Sequence, residues 1–306
     1  MTAFRTVLCP IDFSDLTEPT VQLAGAVARR LGARLVLHHN LSAGPPEFLS
    51  VRWMWSEEHR RDRGGDARRR SERLAEAFES VPEGVECEGR LTRGPLDLAV
   101  VQVAAQLPAD LIVMGSHGWS SASHRSLAER MVVAAPCPVL TVGKRCDLAH
   151  LLEPVEPRPA DALSFLVPVD FSPDSMAVVS FAAHLMETMP HRLHLLHVVP
   201  PSPALDDPRV RHATLAERRE RLGGLVPTGA GERTVLEVRE GTPADEIVSV
   251  ADAGGALFIL MPAARPGLLR RVLFGDTTLG VLHGARCPVW FLPPSVTYRG
   301  LERQAL

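Results

Sequence analysis

RTVLCPIDFSD at residues 5–15 returns as LSFLVPVDFSPD at residues 163–174, an offset of 158 that sets Asp12 opposite Asp170. Each stretch is an apolar run that breaks at an acid and a serine, the pattern of a buried strand turning into a helix. The repetition continues in order. RLTRGPLDLAV (90–100) matches EVREGTPADEIV (237–248), with Gly94 and Gly241 offset by 147. LIVMG (111–115) matches FILMP (258–262), again at 147. APCPVLTVG (135–143) matches ARCPVWFLP (285–293), where Cys137 and Cys287 give 150. Ordered matches of this kind are an internal duplication, and a repeat decides the fold before any single element does. The drift in offset locates the differences: the first copy has 11 more residues between its Asp and its Gly, and three fewer between its Met and its Cys-Pro.

Each copy alternates strand and helix. In the first, Arg5–Ile11 reads as a buried strand. Ser14 or Asp15 is expected to cap a helix whose apolar face is Val21, Ala24, Val27, Ala28 and Leu31, ended by Gly32. Arg34–His38, Glu86–Leu91, Leu111–Gly115 and Val139–Val142 read as strands. Helices are expected from Asp66 onward, over Leu96–Leu107 and over Ser126–Ala134. In the second copy Val179, Ala182, Leu185, Met186 and Met189 make the first helix stripe. The fold class is α/β: two tandem Rossmann-like, doubly wound domains with parallel sheets and helices on both faces. We expect domains at 1–143 and 163–293, a linker at 144–162 rich in proline and charge, and a polar tail at 294–306.

Composition narrows the function classes. With 45% hydrophobic and 23% charged residues the chain can bury a sizeable core. Its 33 Lys+Arg nearly balance 36 Asp+Glu, leaving a net charge of −3, so no global field favours nucleic acid or an anionic membrane. No long apolar segment suggests secretion or a membrane span. Five Cys without a CxxC pair read as reduced thiols. The expected compartment is the cytoplasm.

In a doubly wound sheet, ligands bind beyond the carboxyl ends of the strands, where the strand order reverses. Asp12 and Asp170 fall there, either to accept hydrogen bonds from a ribose or a base amine, or simply to cap a turn. Met114-Gly115-Ser116-His117-Gly118 follows a later strand, and its two glycines let backbone N–H groups approach a phosphate. Ser126 begins the next helix, where its hydroxyl and the positive helix end suit phosphate or an ordinary N-cap. In the second copy Pro262 lacks an N–H, and Asp276 stands where an anion would dock.

These motifs together give the whole chain a resemblance to tandem universal stress proteins: PIDFSD and PVDFSPD, LLHVV at 195–199, DLIVMGSHG at 110–118 and APCPVLTV at 135–142. The resemblance implies a five-stranded parallel sheet in each domain. It also implies pairing of last strands in a dimer-like unit, supplied within a tandem chain, with a further homodimer left open. Some members bind ATP through Gly-x2-Gly-x9-Gly-Ser/Thr. There the Asp after the first strand lies near the adenine and the residue before the first Gly, here Met114, lines the ribose side. Copy one keeps Gly115, Gly118 and Ser126, but Arg125 replaces the last Gly and six residues stand where the motif has nine. Copy two keeps the nine-residue spacing and Gly275, but carries Pro262, Arg265 and Asp276 at the other motif positions. The candidate cofactor-binding residues are therefore Asp12, Met114, Gly115, Gly118, Ser126, Asp170 and Gly275. The cofactor expected from the resemblance is ATP with its accompanying Mg²⁺, at copy one. His39 is matched to Val198, beside the adenine pocket.

No catalytic residues and no metal ligands are assigned. No nucleophile motif such as GxSxG is present. The histidines lack zinc spacing, and adjacent His38 and His39 point to opposite faces of a strand. The basic HRRDRGGDARRR (59–70) reads as a solvated segment, and Trp53 and Trp55 before it as a lid, an interface anchor or a sheet cover. The expected function is a stress-response protein acting by ligand sensing or protein interaction. The alternative is a weak ATPase or nucleotide-dependent switch at copy one.

Overall fold

The computed structural model describes residues 4–41, 48–50, 65–116, 126–148, 164–188, 191–263 and 276–293. The chain forms two compact units, one built from residues up to Lys144 and the other from Arg145 to Pro294. The expected linker lies largely outside the described residues, as do the tail, Trp53 and Trp55.

The first unit contains β1 (Thr6–Pro10), α1 (Thr17–Leu31), β2 (Arg34–Asn40), β3 (Phe48–Ser50), α2 (Gly65–Glu79), β4 (Cys87–Thr92), α3 (Leu96–Gln106), β5 (Leu111–Gly115), α4 (Leu127–Ala134) and β6 (Val139–Val142). Its strand order is β3-β4-β2-β1-β5-β6. From β1 the chain moves outward through β2 to β4, then crosses back to add β5 and β6 on the other side. The order therefore reverses between β1 and β5. The five main strands are parallel to their neighbours. Every residue of β1 is buried, as an apolar run covered on both faces requires.

A sixth strand was not expected. β3 pairs antiparallel with the edge strand β4, Phe48 opposite Thr92 and Ser50 opposite Arg90. Three residues are too few to show a strand period, so sequence patterning cannot reveal it.

α1 ends as expected. Gly32 takes φ 65°, and its N–H reaches back to the carbonyls of Ala28 and Arg29. Its start differs. The helix begins at Thr17, and Leu16 occupies the N-cap without a side-chain bond. Ser14 and Asp15 do not cap it, because Ser14 belongs to the preceding turn. The Ser14 N–H donates to Asp12 Oδ1 at 3.0 Å, and the Ser14 carbonyl accepts from Thr17 N–H at 2.9 Å. Midway along α1, Gly25 faces Pro82 so closely that a Cβ would overlap the proline ring.

The second unit contains β7 (Ser164–Pro168), α5 (Pro173–Thr188), β8 (Arg192–Val199), α6 (Pro208–Gly223), β9 (Thr234–Glu240), α7 (Pro243–Ala253), β10 (Ala256–Pro262), α8 (Asp276–Gly284) and β11 (Val289–Leu292). Its strand order is β9-β8-β7-β10-β11, all parallel, as expected for one copy. Aromatic side chains fill its core: Trp290 packs edge-on against Phe181 and Phe258. At the equivalent places the first unit carries the buried aliphatic residues Leu23, Leu111 and Leu140. Among the described residues no helix is long and apolar enough to cross a membrane.

Candidate functional site

The reversal between β1 and β5 opens a cavity at the carboxyl ends of the first unit's strands. Its volume is about 50 Å³, room for a few water molecules or for one edge of a larger ligand. Asp12 and Ser14 line it from the turn after β1, Thr17 and Thr20 from α1, and His38 and Asn40 from β2. Met114, Gly115 and Ser116 close the end of β5, and Leu127 and Ala128 present the first turn of α4. Four of the expected residues are thus accounted for: Asp12, Met114 and Gly115 line one cavity, and Ser126 stands at the start of the helix that faces it. Gly118 and Gly275 lie outside the described residues. Asp170 belongs to the other unit.

Asp12 is exposed, and its Oδ1 accepts the Ser14 N–H. The residue after it is the strained element. Phe13 holds φ 60°, the left-handed region that a bulky side chain avoids. It is clamped there from two sides. The His39 ring lies with its centroid 4.3 Å from that of Phe13, and the Arg73 guanidinium sits 4.6 Å over the Phe13 ring. His39 is itself fixed by its Nδ1, 2.9 Å from the Ile11 carbonyl oxygen.

The second unit repeats this device. Phe171 has φ 63°, lies 4.6 Å from His197 and carries the Arg221 guanidinium 4.0 Å over its ring. His197 Nδ1 is 2.6 Å from the Val169 carbonyl oxygen. This corrects the match of His39 to Val198. β1 sets Pro10 beside His38, and β7 sets Pro168 beside Leu196, so His39 is equivalent to His197. His39 and His197 hold the turn after the first strand, and the cavity-facing neighbours of His39 are His38 and Asn40. The signal was in the sequence: the offset of 158 carries His39 directly onto His197.

Sequence patterning missed the cavity's polar floor. His38 Nε2 lies 2.7 Å from Thr92 Oγ1, Thr92 Oγ1 donates to Asn40 Oδ1 at 3.1 Å, and Asn40 Nδ2 donates to the Gly94 carbonyl at 2.9 Å. Burial, with His39 beside it, pushes the His38 pKa down to about 3, so the ring is neutral. The β2–β4 register, Asn40 opposite Thr92, brings these groups together. In the second unit the same places hold Leu196, Val198 and Arg239, and Arg239 is committed to ion pairs with Glu237 and Glu246.

Ser126 caps α4. Its Oγ accepts the Glu129 N–H at 3.2 Å and donates to Glu129 Oε1 at 3.3 Å. With its one hydrogen on Glu129, the hydroxyl has none for a phosphate in this arrangement. Leu127 and Ala128, at the positive end of the helix, still line the cavity. In the second unit Asp170 is tied down differently. Its Oδ1 accepts from Ser172 N–H at 2.9 Å and from Ser172 Oγ at 2.6 Å. Burial pushes the Asp170 carboxyl up, but these bonds, with Ser175, outweigh it and hold it below the usual carboxylate range.

The model of the universal stress protein family matches residues 3–143 and again 164–293. A universal stress protein from Thermus aquaticus is 32% identical over 142 residues, 45% of this chain and 98% of that protein. A second, from Methanocaldococcus jannaschii, is 27% identical over 146 residues, 46% of this chain and 83% of its own length. The crystal structure of a universal stress protein from Archaeoglobus fulgidus covers 95% of this chain and 97% of its own, with a TM-score of 0.67 and 18% identity.

Proposed function

Because the chain belongs to the universal stress protein family, we propose that its first unit is a nucleotide-sensing site and that its second unit has given up that role. The observation that carries this reading is the cavity at the reversal of strand order. It joins Asp12, the Gly115 backbone and the first turn of α4 with the polar groups of β2. Asp12 is suited to a ribose hydroxyl or a base amine. Gly115 and the first-turn amides of α4 are suited to phosphate, with Gly118 completing the loop. In this reading the Ser126 hydroxyl shapes the helix end rather than binding the ligand.

Sensing is favoured over hydrolysis. Asp12 is the one carboxylate among the described residues lining the cavity. A phosphoryl-transfer site needs metal ligands and a group to position the attacking water, and one acid would have to serve both. We expect ATP or another adenine nucleotide as ligand, a stress-response role in the cytoplasm, and partner proteins that read the loaded state.

The test is to denature the purified full chain, identify any released nucleotide by chromatography, and titrate the refolded or nucleotide-stripped protein with ATP and Mg²⁺ in a calorimeter. The expected result is about one equivalent of site, lost in Asp12→Ala and retained in Asp170→Ala. No released nucleotide and no heat of binding would remove the proposal.

A further inference from the structure

The polar floor of the cavity fixes which nitrogen of His38 carries a hydrogen, and the chain of bonds begins at a group that cannot donate. The Gly94 carbonyl only accepts, so Asn40 must turn its Nδ2 toward it, at 2.9 Å. That leaves Asn40 Oδ1 facing Thr92, whose hydroxyl donates to it at 3.1 Å. A hydroxyl has one hydrogen, so toward His38 Thr92 Oγ1 accepts, and His38 Nε2 is the donor of that 2.7 Å bond. A neutral imidazole with hydrogen on Nε2 has a bare lone pair on Nδ1.

That lone pair is buried. His38 is 1% exposed, and its Nδ1 has no hydrogen-bond partner among the described residues. The residue lines the cavity. The hydroxyls of Thr17 and Thr20, on the α1 wall of the same cavity, are likewise buried without a partner among the described residues. Buried polar groups in proteins are nearly always satisfied, so a cluster of them around one cavity points to a polar occupant.

Resting on the nucleotide proposal for this unit, we infer that His38 Nδ1 is a hydrogen-bond acceptor subsite that takes an N–H or O–H donor of the bound nucleoside, its exocyclic amine or a ribose hydroxyl. Toward the ring Thr92 and Asn40 act as positioning residues, although Asn40 also lines the cavity: they hold His38 in the acceptor tautomer. The low pKa of His38 keeps that acceptor available through the physiological range. The subsite belongs to this unit alone, since Leu196, Val198 and Arg239 stand at the equivalent places of the other.

The test compares AMP with its 2′-deoxy and 3′-deoxy analogues and with purine riboside monophosphate, which lacks the amine. Each is titrated into the full-length chain and into His38→Leu, which installs the residue of the second copy. The expected result is that one analogue binds the wild type roughly tenfold or more weakly than AMP. That gap closes to within about twofold in His38→Leu, since a leucine has no acceptor to leave unpaired. The analogue showing the gap identifies the donor. If AMP binds the wild type but every gap survives in His38→Leu, this inference falls and the nucleotide proposal stands. If the wild type binds none of the four while ATP binds, this inference falls and the nucleotide proposal stands; if ATP does not bind either, both fall. Nitrogen-15 NMR of the wild type reads the tautomer without any variant. The expected signal is a protonated Nε2 and an unprotonated Nδ1 whose shift moves on adding AMP. A protonated Nδ1 in the free protein overturns the inference.

Discussion

Phe13 and His39 lie ring against ring, centroids 4.3 Å apart and planes 41° from parallel. The contact holds a phenylalanine in a backbone conformation it would otherwise leave, within the turn that carries the cavity-lining Asp12. Replacing His39 with Ala removes the clamp and the bond to the Ile11 carbonyl. We expect nucleotide affinity to fall by about tenfold or more as Asp12 loses its orientation. His197→Ala, the equivalent change in the other unit, should lower stability and leave affinity unchanged. Calorimetric titration of both variants separates the two.

Gly25 tests packing away from the site. A methyl group there would overlap Pro82. A proline ring has little freedom to move aside, so Gly25→Ala should destabilise the first unit by about 1–3 kcal/mol. Urea denaturation measures this, and the bound ligand's affinity should not change. A neutral or stabilising result would mean that the helix and the Pro82 turn separate easily.

Acid should weaken the first unit through His38. Folded, the ring resists protonation down to about pH 3; unfolded, it takes a proton below its ordinary value of 6.5. The unfolded state therefore binds more protons between those limits. Stability is complete above the unfolded pKa and falls as pH drops, by about 1.4 kcal/mol per unit for a single such group. His38→Leu should flatten this slope between pH 6 and pH 4 (roughly the steep part of the window). Urea midpoints of both proteins across that range check it; parallel curves would count against a buried neutral His38.

Ser126 distinguishes a helix cap from a phosphate ligand. Its hydroxyl is engaged twice with Glu129. Ser126→Ala should cost about 1 kcal/mol of stability, the usual value of an N-cap. ATP affinity should stay within about threefold, because the amides of the first turn remain. A loss of affinity far beyond that would return the hydroxyl to the phosphate.

How much of this was legible in the sequence depends on the range of the interaction. The paired PIDFSD and PVDFSPD segments, with their alternating strands and helices, carry the two-unit α/β fold, because burial leaves a period in the residues themselves. β3 left no such trace in three residues. The cap expected at Ser14 failed because a competing local bond, Asp12 to Ser14, does not show in periodicity. Asp12, Met114 and Gly115 were readable as site candidates, since each lies at or just beyond the carboxyl end of a strand beside the reversal point. The His38–Thr92–Asn40 chain was not. Its members sit on separate strands, and only the register of β2 against β4 makes them neighbours.

That register has a consequence for how a response would scale. The second unit fills the same three places with Leu196, Val198 and a salt-bridged Arg239. A duplicated receptor with two like sites can respond cooperatively, sharpening a gradual change in ligand into a threshold. Within a single chain, keeping the hydrogen-bonding groups in one copy leaves no second like site to couple. The chain's occupancy should follow a simple hyperbola, tracking ligand concentration in proportion rather than as a switch.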